Sequence, residues 1–420
     1  MTKASARIGF VSTRFSGTDG VSLETAKWAA VLESMGHACF YFCGECDRPA
    51  EVSYVVPEAH FSHPEIEALT IDLFDDRVRS SATSAQIQTL KEFLKGHLQR
   101  FIEIYRPDLL IVENALALPV NVPLGLALTE LIAETALPTI GHHHDFTWER
   151  ERFAIHAAPD YLDAAFPPSL DTIHHVVINS VAGRQLARRK GVNSMLVPNV
   201  MDYDAPPPPP DEYSQAFRQV LGIRSDEVLI LQPTRIVPRK RIERAVEIAR
   251  RLGLPAALVI SHHGGDEGLA YEQYLREYAS LIGARVIFGA EFVGHRRNDP
   301  KEGNARFSLA DAYGQCDLVT YPSILEGFGN AFLEAVYFRR PIMMANYEIY
   351  NVDIRPKGFH AITFGEYVDE QSLRQARDWL GNPAHVAAVV DENYEIARRF
   401  YSYSALRQHL TVLINECLGV

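Results

Sequence analysis

The stretch Leu318-Val-Thr-Tyr-Pro-Ser-Ile-Leu-Glu-Gly-Phe-Gly-Asn-Ala-Phe-Leu-Glu334 decides how the chain is read. Its short apolar start, 318–321, predicts a strand, and a helix is predicted over about 329–338. Gly327 and Gly329 lie in the loop between and let the backbone approach a ligand closely. The start of such a helix points free N–H groups at an anion. Glu326 sits in the loop, and Glu334 lies eight residues on, inside the helix. Amides for phosphate and carboxylates for hydroxyls suit a phosphorylated sugar compound. A tight turn with two solvated glutamates is the plain alternative, because Gly-rich turns from strand to helix are common.

The same strand, loop and helix recur in both directions from this stretch. Strands are predicted near 7–11, 38–43, 108–112, 138–144, 176–179 and 195–197, then near 228–231, 256–260, 285–288 and 342–345. Helices are predicted over 21–34, 86–105, 181–190, 241–252, 269–281 and 307–314, and one amphipathic helix over about 391–417. The polar stretch up to about residue 83 has no clear pattern, and no sequence repeat is present. Alternating strands and helices imply parallel sheets covered on both faces. Five consecutive prolines, 206–210, cannot join a helix or inner strand. The pattern restarts after them. The expected organisation is a first domain over 1–205, a second over 206–395 and a final helix over 396–420. Two such domains in tandem place a ligand cleft between them, at the carboxyl ends of the strands.

Length and composition agree with two domains. A chain of 420 residues exceeds one ordinary domain. With 47% hydrophobic and 22% charged residues it is not a disordered, collagen-like or coiled-coil chain. Its 41 basic and 53 acidic residues leave −12, so it has no bulk attraction for nucleic acid or anionic lipid. Five scattered cysteines do not make a disulfide scaffold. They suggest reduced thiols and a cytoplasmic location. Residues 1–10 lack a secretory pattern. The apolar segment 120–136 carries Pro123, Gly125, Glu130 and Glu134 and reads as an internal helix.

The 322–334 segment resembles the signature of the retaining glycosyltransferases of family 4: a Glu, seven residues, a second Glu, with Gly-Phe-Gly between. Other stretches fit the family's order across residues 8–345. Arg235 and Lys240, in Thr-Arg-Ile-Val-Pro-Arg-Lys-Arg, resemble the basic pair that binds the donor diphosphate. Asn179-Ser180, Val197-Pro-Asn199 and Asp202 resemble markers near the end of the first domain. Gly17 and Gly20 resemble its first Gly-rich loop, and His144-Asp145 resembles the His that faces the donor sugar.

The resemblance implies the GT-B fold, α/β with two Rossmann-like domains facing across a cleft and a C-terminal helix returning to the N-terminal domain. It implies metal-independent transfer of a hexose, glucose or mannose, from UDP or GDP with retained configuration, and no cofactor beyond the nucleotide-sugar substrate. Carried over by position, Glu326 hydrogen-bonds the donor sugar and Glu334 holds the ribose hydroxyls. Arg235 and Lys240 neutralise the diphosphate as charge develops on it. Phe328, Gly329 and Asn330 offer backbone N–H groups, and Gly17 lets the first loop approach the diphosphate. Two departures stand out. The first loop reads Ser-Gly-Thr-Asp-Gly instead of a plain Gly pair, and 346–357 lacks the small-residue run common there.

Rival readings use the same residues. His142, His143, His144 and Asp145 invite a metal, but no partner ligand lies nearby in sequence, and none is expected. On a strand His142 and His144 share a face and His143 opposes them. His144 is the choice to face the donor, with His143 second, while His174-His175 and His262-His263 read as surface or core residues. Cys39, Cys43 and Cys46 have the C-x3-C-x2-C spacing of radical S-adenosylmethionine enzymes, but the first two lie in an apparent strand. A non-catalytic sugar binder would keep Glu334 and lose turnover. A retaining disaccharide phosphorylase or a nucleotide-sugar epimerase would use the same fold for a different reaction.

Arg184, Arg188, Arg189 and Lys190 are too few for membrane recruitment and read as a solvated helix face. The segment 146–166 mixes aromatic and charged residues, which suits a soluble acceptor. Arg150 and Arg152 are the candidates to contact an acidic one.

Overall fold

The computed structural model describes residues 5–17, 19–264, 269–294, 296–298 and 306–419. The chain divides into two compact units. The first is Met1–Val200 with Tyr403–Val420, and the second is Met201–Ser402.

The first unit carries β1 (Arg7–Val11), β2 (Ala38–Cys43), β3 (Ser53–Val55), β4 (Leu109–Glu113), β5 (Thr139–His143), β6 (Ile173–Val177) and β7 (Met195–Leu196). They form one sheet in the order β3-β2-β1-β4-β5-β6-β7, parallel throughout. Such strands need crossovers, which α1 (Gly20–Ser34), α2 (Pro64–Leu73), α3 (Ser81–Tyr105), α4 (Val122–Thr135), α5 (Pro159–Ala165) and α6 (Ser180–Lys190) help to supply. Both sheet faces are buried: Ile8 and Phe10 join one apolar cluster, Val11 and Val112 the other. That is why the strands read as continuous apolar runs and not as alternation.

The second unit repeats the plan. Its strands are β8 (Val228–Gln232), β9 (Ala256–Ile260), β10 (Val286–Phe288), β11 (Val293–Gly294), β12 (Phe307–Ser308), β13 (Leu318–Tyr321), β14 (Ile342–Ala345) and β15 (Ile362–Phe364). Six form a parallel sheet ordered β10-β9-β8-β13-β14-β15, and β11 pairs with β12. Its helices are α7 (Glu212–Val220), α8 (Glu243–Arg251), α9 (Leu269–Ile282), α10 (Leu309–Gln315), α11 (Asn330–Tyr337), α12 (Glu370–Leu380) and α13 (Pro383–Tyr401).

Two boundaries differ from the sequence reading. The second unit begins at Met201, ahead of the proline run. The Met201 N–H donates to the Tyr401 carbonyl at 2.9 Å, and buried Tyr203 donates its hydroxyl to the Leu333 carbonyl at 2.6 Å. These bonds tie 201–205 to the second unit. The single helix expected over 391–417 is two. Helix α13 stops at Ser402, whose backbone is extended, and α14 (Tyr403–Leu418) starts beyond it. Leu406, Leu410, Leu413 and Ile414 of α14 enter the cluster of Ile8, Trp28 and Ile140, so the last helix belongs to the first unit. No helix among the described residues is long and apolar enough to cross a membrane.

Candidate active site

In each sheet the strand order reverses direction at one point, between β1 and β4 and between β8 and β13. Loops at the carboxyl ends diverge there and leave a crevice for a ligand.

In the second unit those loops are 233–241 and 322–329. They bring together residues almost ninety positions apart: the Lys240 ammonium donates directly to Glu326 Oε1. Arg239 Nη1 lies 3.9 Å from Glu326 Oε2. Lys240 is only 9% exposed. Burial lowers its pKa, against the raising effect of Glu326. Its Nζ sits 5.4 Å from the Tyr321 ring centroid, within cation–π range. Arg235 is exposed and contributes positive charge here: His262 is pushed down to about 4 by burial and then by Arg235, His263 and Lys240. His262 is therefore neutral at pH 7, beside these cations.

The glutamate eight residues on is held separately. Glu334 accepts a 2.8 Å hydrogen bond from the Tyr313 hydroxyl. Gly329 caps α11 with φ +123°, and a Cβ there would lie 2.3 Å from Tyr347 Oη. The Tyr347 hydroxyl donates to the Phe328 carbonyl at 2.9 Å, which fixes the turn. The Phe328 side chain is buried edge-on against Tyr401, so only its backbone can serve a ligand. Asn330 is the first residue of α11.

The first unit holds a cavity of about 600 Å³ at its own switch point. Ser12, Thr13, Arg14 and Asp19 follow β1, and Glu113, Asn114 and Ala115 come from the end of β4. Phe61, Phe153 and Arg152 close other sides. Gly17 has φ +76° and donates its N–H to Asp47 Oδ2 at 3.2 Å, while Thr18 beside it lies outside the described residues. The N-terminus of α1 already receives a carboxylate of the chain itself. Asp19 accepts from the Val21 and Ser22 N–H groups at 3.1 Å and pairs with Arg14 at 3.0 Å. Arg150 and Arg152 part company. Arg150 pairs with Asp145 at 2.7 Å, and Arg152 lines the cavity.

Behind the cavity lies a histidine cluster. His143 points to the far face of the sheet, where its Nε2 is 2.8 Å from His175 Nδ1. His142 and His144 share the near face with Glu113, as the alternation of a strand requires. Glu113 Oε2 is 2.9 Å from His142 Nδ1 and 3.0 Å from His144 Nε2. By residue type these three could hold a metal ion, since their ligand atoms lie within 4.8 Å of one another. Sequence reading missed Glu113, which sits thirty residues upstream. Its only signal was a charge at the carboxyl end of an apolar strand. Arg14 and Tyr313 were missed too, having no motif around them. The three cysteines do not converge: Cys39 and Cys43 point the same way but lie four strand residues, about 13 Å, apart. Cys46 lies beside Cys43 and also contacts Ser53 at 3.4 Å, which leaves Cys39 apart from both.

No protein-family profile matches the chain. The chain is 30% identical to the mannosylglucosylglycerate synthase of Thermotoga maritima, over 96% of this chain and 99% of that protein. It is 31% identical to the mannosylglucosylglycerate synthase of Petrotoga mobilis, over 85% and 86%. Among solved structures, a glycosyltransferase of Rickettsia africae superposes with a TM-score of 0.69 at 13% identity, covering 99% of both chains. The Anabaena protein Alr3699/HepE, solved with UDP and glucose, gives 0.60 at 13% identity, covering 98% and 99%.

Proposed function

This chain belongs to glycosyltransferase family 4, of GT-B fold, and on that premise we propose that it moves a mannosyl residue from a nucleoside diphosphate to a glucosylated hydroxy acid, with retention. Transfer of a sugar from a nucleotide sugar is common ground with its relatives. The choice of mannose and of an acidic glucoside rests on the names of those relatives, whose product joins mannosyl, glucosyl and glycerate parts.

The observation that carries the reading is the pairing of buried Lys240 with Glu326, whose side chain is only 10% exposed, at the switch point of the second sheet. In such a desolvated place a fixed ammonium acts strongly on a phosphate. Lys240 and Arg235 take the donor diphosphate, Glu326 takes hydroxyls of the sugar, and Glu334 takes the ribose. Phe328, Gly329 and Asn330 supply backbone N–H groups. Gly17 and His144 of the first unit are assigned to the donor by the resemblance alone. The bond from the anomeric carbon to the phosphate oxygen breaks, and the acceptor hydroxyl bonds to that carbon on the same face. Its proton passes to the leaving phosphate oxygen. The residues present call for no resident cofactor and no metal in this step.

The cavity of the first unit suits the acceptor, with Arg14 and Arg152 for the carboxylate and Phe61 and Phe153 against the sugar. Arg150, engaged by Asp145, is assigned no contact with it.

Thermal shifts with UDP, GDP, ADP and their hexose conjugates test the donor half. One nucleotide should raise the melting temperature of the wild type and much less that of Glu334→Ala. No shift with any at saturation would remove the donor reading and bring phosphate with disaccharides forward.

A further inference from the structure

Glu334 is half-buried on α11. Side chains of a helix lean toward its N-terminus, so the Glu334 carboxylate reaches back over the first turn of α11. Phe338 lies four residues on and shares that face. One aromatic residue of α10 meets both. The Tyr313 ring stacks on Phe338 with centroids 4.9 Å apart and an interplanar angle of 12°, and its hydroxyl donates to Glu334 Oε2 at 2.8 Å. Tyr313 is fully buried. The helix that carries it is held at both ends. At its start the Ser308 N–H donates to Asp311 Oδ2 at 2.8 Å, and Asp311 pairs with Arg297. At its end Arg340, just beyond α11, donates to the Gly314 and Cys316 carbonyls at 2.5 and 3.0 Å. Burial, then the charge and hydrogen bond of Glu334, push the Tyr313 hydroxyl well above its ordinary value, so it remains a donor.

We propose that Tyr313 is a positioning residue for the nucleoside of the donor: its hydroxyl fixes the Glu334 carboxylate in the orientation that accepts the ribose hydroxyls, and so sets a preference for ribose over deoxyribose. This rests on Glu334 taking the ribose. A loose glutamate side chain turns about several bonds, and ordering it when a ligand binds costs entropy. Tyr313 imposes that order during folding, before the nucleotide arrives. A hydrogen bond to a carboxylate is stronger than one between neutral groups, so the hold is firm as well as directed. A buried tyrosine hydroxyl needs an acceptor in any case. Were that the only purpose of the contact, removing the hydroxyl would leave the choice between ribose and deoxyribose untouched. That choice therefore separates positioning from packing.

The test is calorimetric binding of UDP and GDP, each beside its 2′-deoxy form, to the wild type, Tyr313→Phe, Glu334→Ala and the double variant. Phenylalanine keeps the stack on Phe338 and removes only the hydroxyl. For the nucleotide that binds, the wild type should favour ribose about tenfold or more, and Glu334→Ala hardly at all. Tyr313→Phe should reduce the preference to about threefold, by weakening the ribonucleotide alone. Unchanged binding of the deoxynucleotide reports that the site is intact. In the Glu334→Ala background the same substitution should change the preference no further, because the two residues act as one unit. With the mannosyl donor and glucosylglycerate, Tyr313→Phe should raise the donor KM about fivefold and alter kcat by less than about twofold. The wild-type preference retained in Tyr313→Phe, or an equal loss for both sugars, would overturn the proposal and leave the hydroxyl a packing role. A wild type with no preference for ribose would remove the assignment of Glu334 itself, and this proposal with it.

Discussion

Lys240 and Glu326 show what single residues contribute. Lys240 is buried and Glu326 nearly so, and each answers the other's charge, so Glu326→Ala leaves the Lys240 ammonium without its carboxylate, while Lys240→Ala leaves Glu326 with only Arg239 at 3.9 Å. Breaking such a pair costs about 3–5 kcal/mol, whereas replacing both by neutral residues can restore stability. Lys240→Ala and Glu326→Ala should each lower turnover by about 10²–10³-fold. Lys240→Met with Glu326→Gln should melt above either single variant and remain as inactive. Wild-type turnover in any of the three would refute the assignment. Gly329 is a second such residue. Gly329→Ala places a methyl group against Tyr347 Oη at a backbone angle that L-residues rarely adopt. Chemical denaturation should show a loss of about 1–3 kcal/mol, part of which returns in a Tyr347→Phe background. An unchanged midpoint would mean that the loop has no need of glycine there. The motif glutamates, Lys240 and Gly329 were legible because spacing along the chain is enough to find them. Glu113, Arg14 and Tyr313 were not, because only the parallel register and the loop packing bring them to a site.

At the scale of elements, strands β1, β2, β9, β13 and β14 match the expected limits, and each is a short apolar run without a competing period. The unassigned stretch before residue 83 holds the edge strand β3 and helix α2, both short and only partly buried. Half-exposed elements carry little hydrophobic signal, and this is why they could not be read. The break between α13 and α14 escaped for the opposite reason: apolar residues continue at helical spacing through Ser402, and only the backbone turns. The pairing of β5 with β6 has a consequence of its own. His143 and His175 are buried together as neutral rings. Burial brings His175 down to about 4, and burial with the neighbouring imidazoles takes His143 lower than its ordinary value. Between pH 6.5 and 4 the unfolded chain therefore binds more protons than the folded one, so stability falls as pH falls through this window. His175 alone contributes up to about 3 kcal/mol of that loss. Thermal melts from pH 7 to 4 should show a shallower decline for His175→Gln than for the wild type. Parallel curves would contradict the assignment.

The whole molecule is two copies of one sheet plan joined so that the chain finishes in the unit where it started. The alternating pattern made the fold class legible, and the proline run pointed to the right region for the first boundary. The exact break depends on Tyr203 and Met201 bonding within the second unit, which no pattern announces. The return of α14 has a clear energetic meaning. Leu406, Leu410, Leu413 and Ile414 are buried in the first unit, and four such side chains stabilise by about 6–12 kcal/mol. That is comparable with the net stability of a whole domain. A chain ending at Ser402 should lose the melting transition of the first unit and keep that of the second. Two intact transitions would show the helix to be dispensable.

The measurement that reaches the central claim is real-time proton NMR of the full-length protein with GDP-mannose or UDP-mannose and glucosylglycerate. The account predicts release of the nucleoside diphosphate together with a new mannosyl anomeric signal whose configuration, at first appearance, is that of the donor. The signal should weaken in Lys240→Ala and when glucosylglycerol replaces the acid. A first product of opposite configuration would contradict the proposed chemistry. No product with either donor would contradict the proposed substrates.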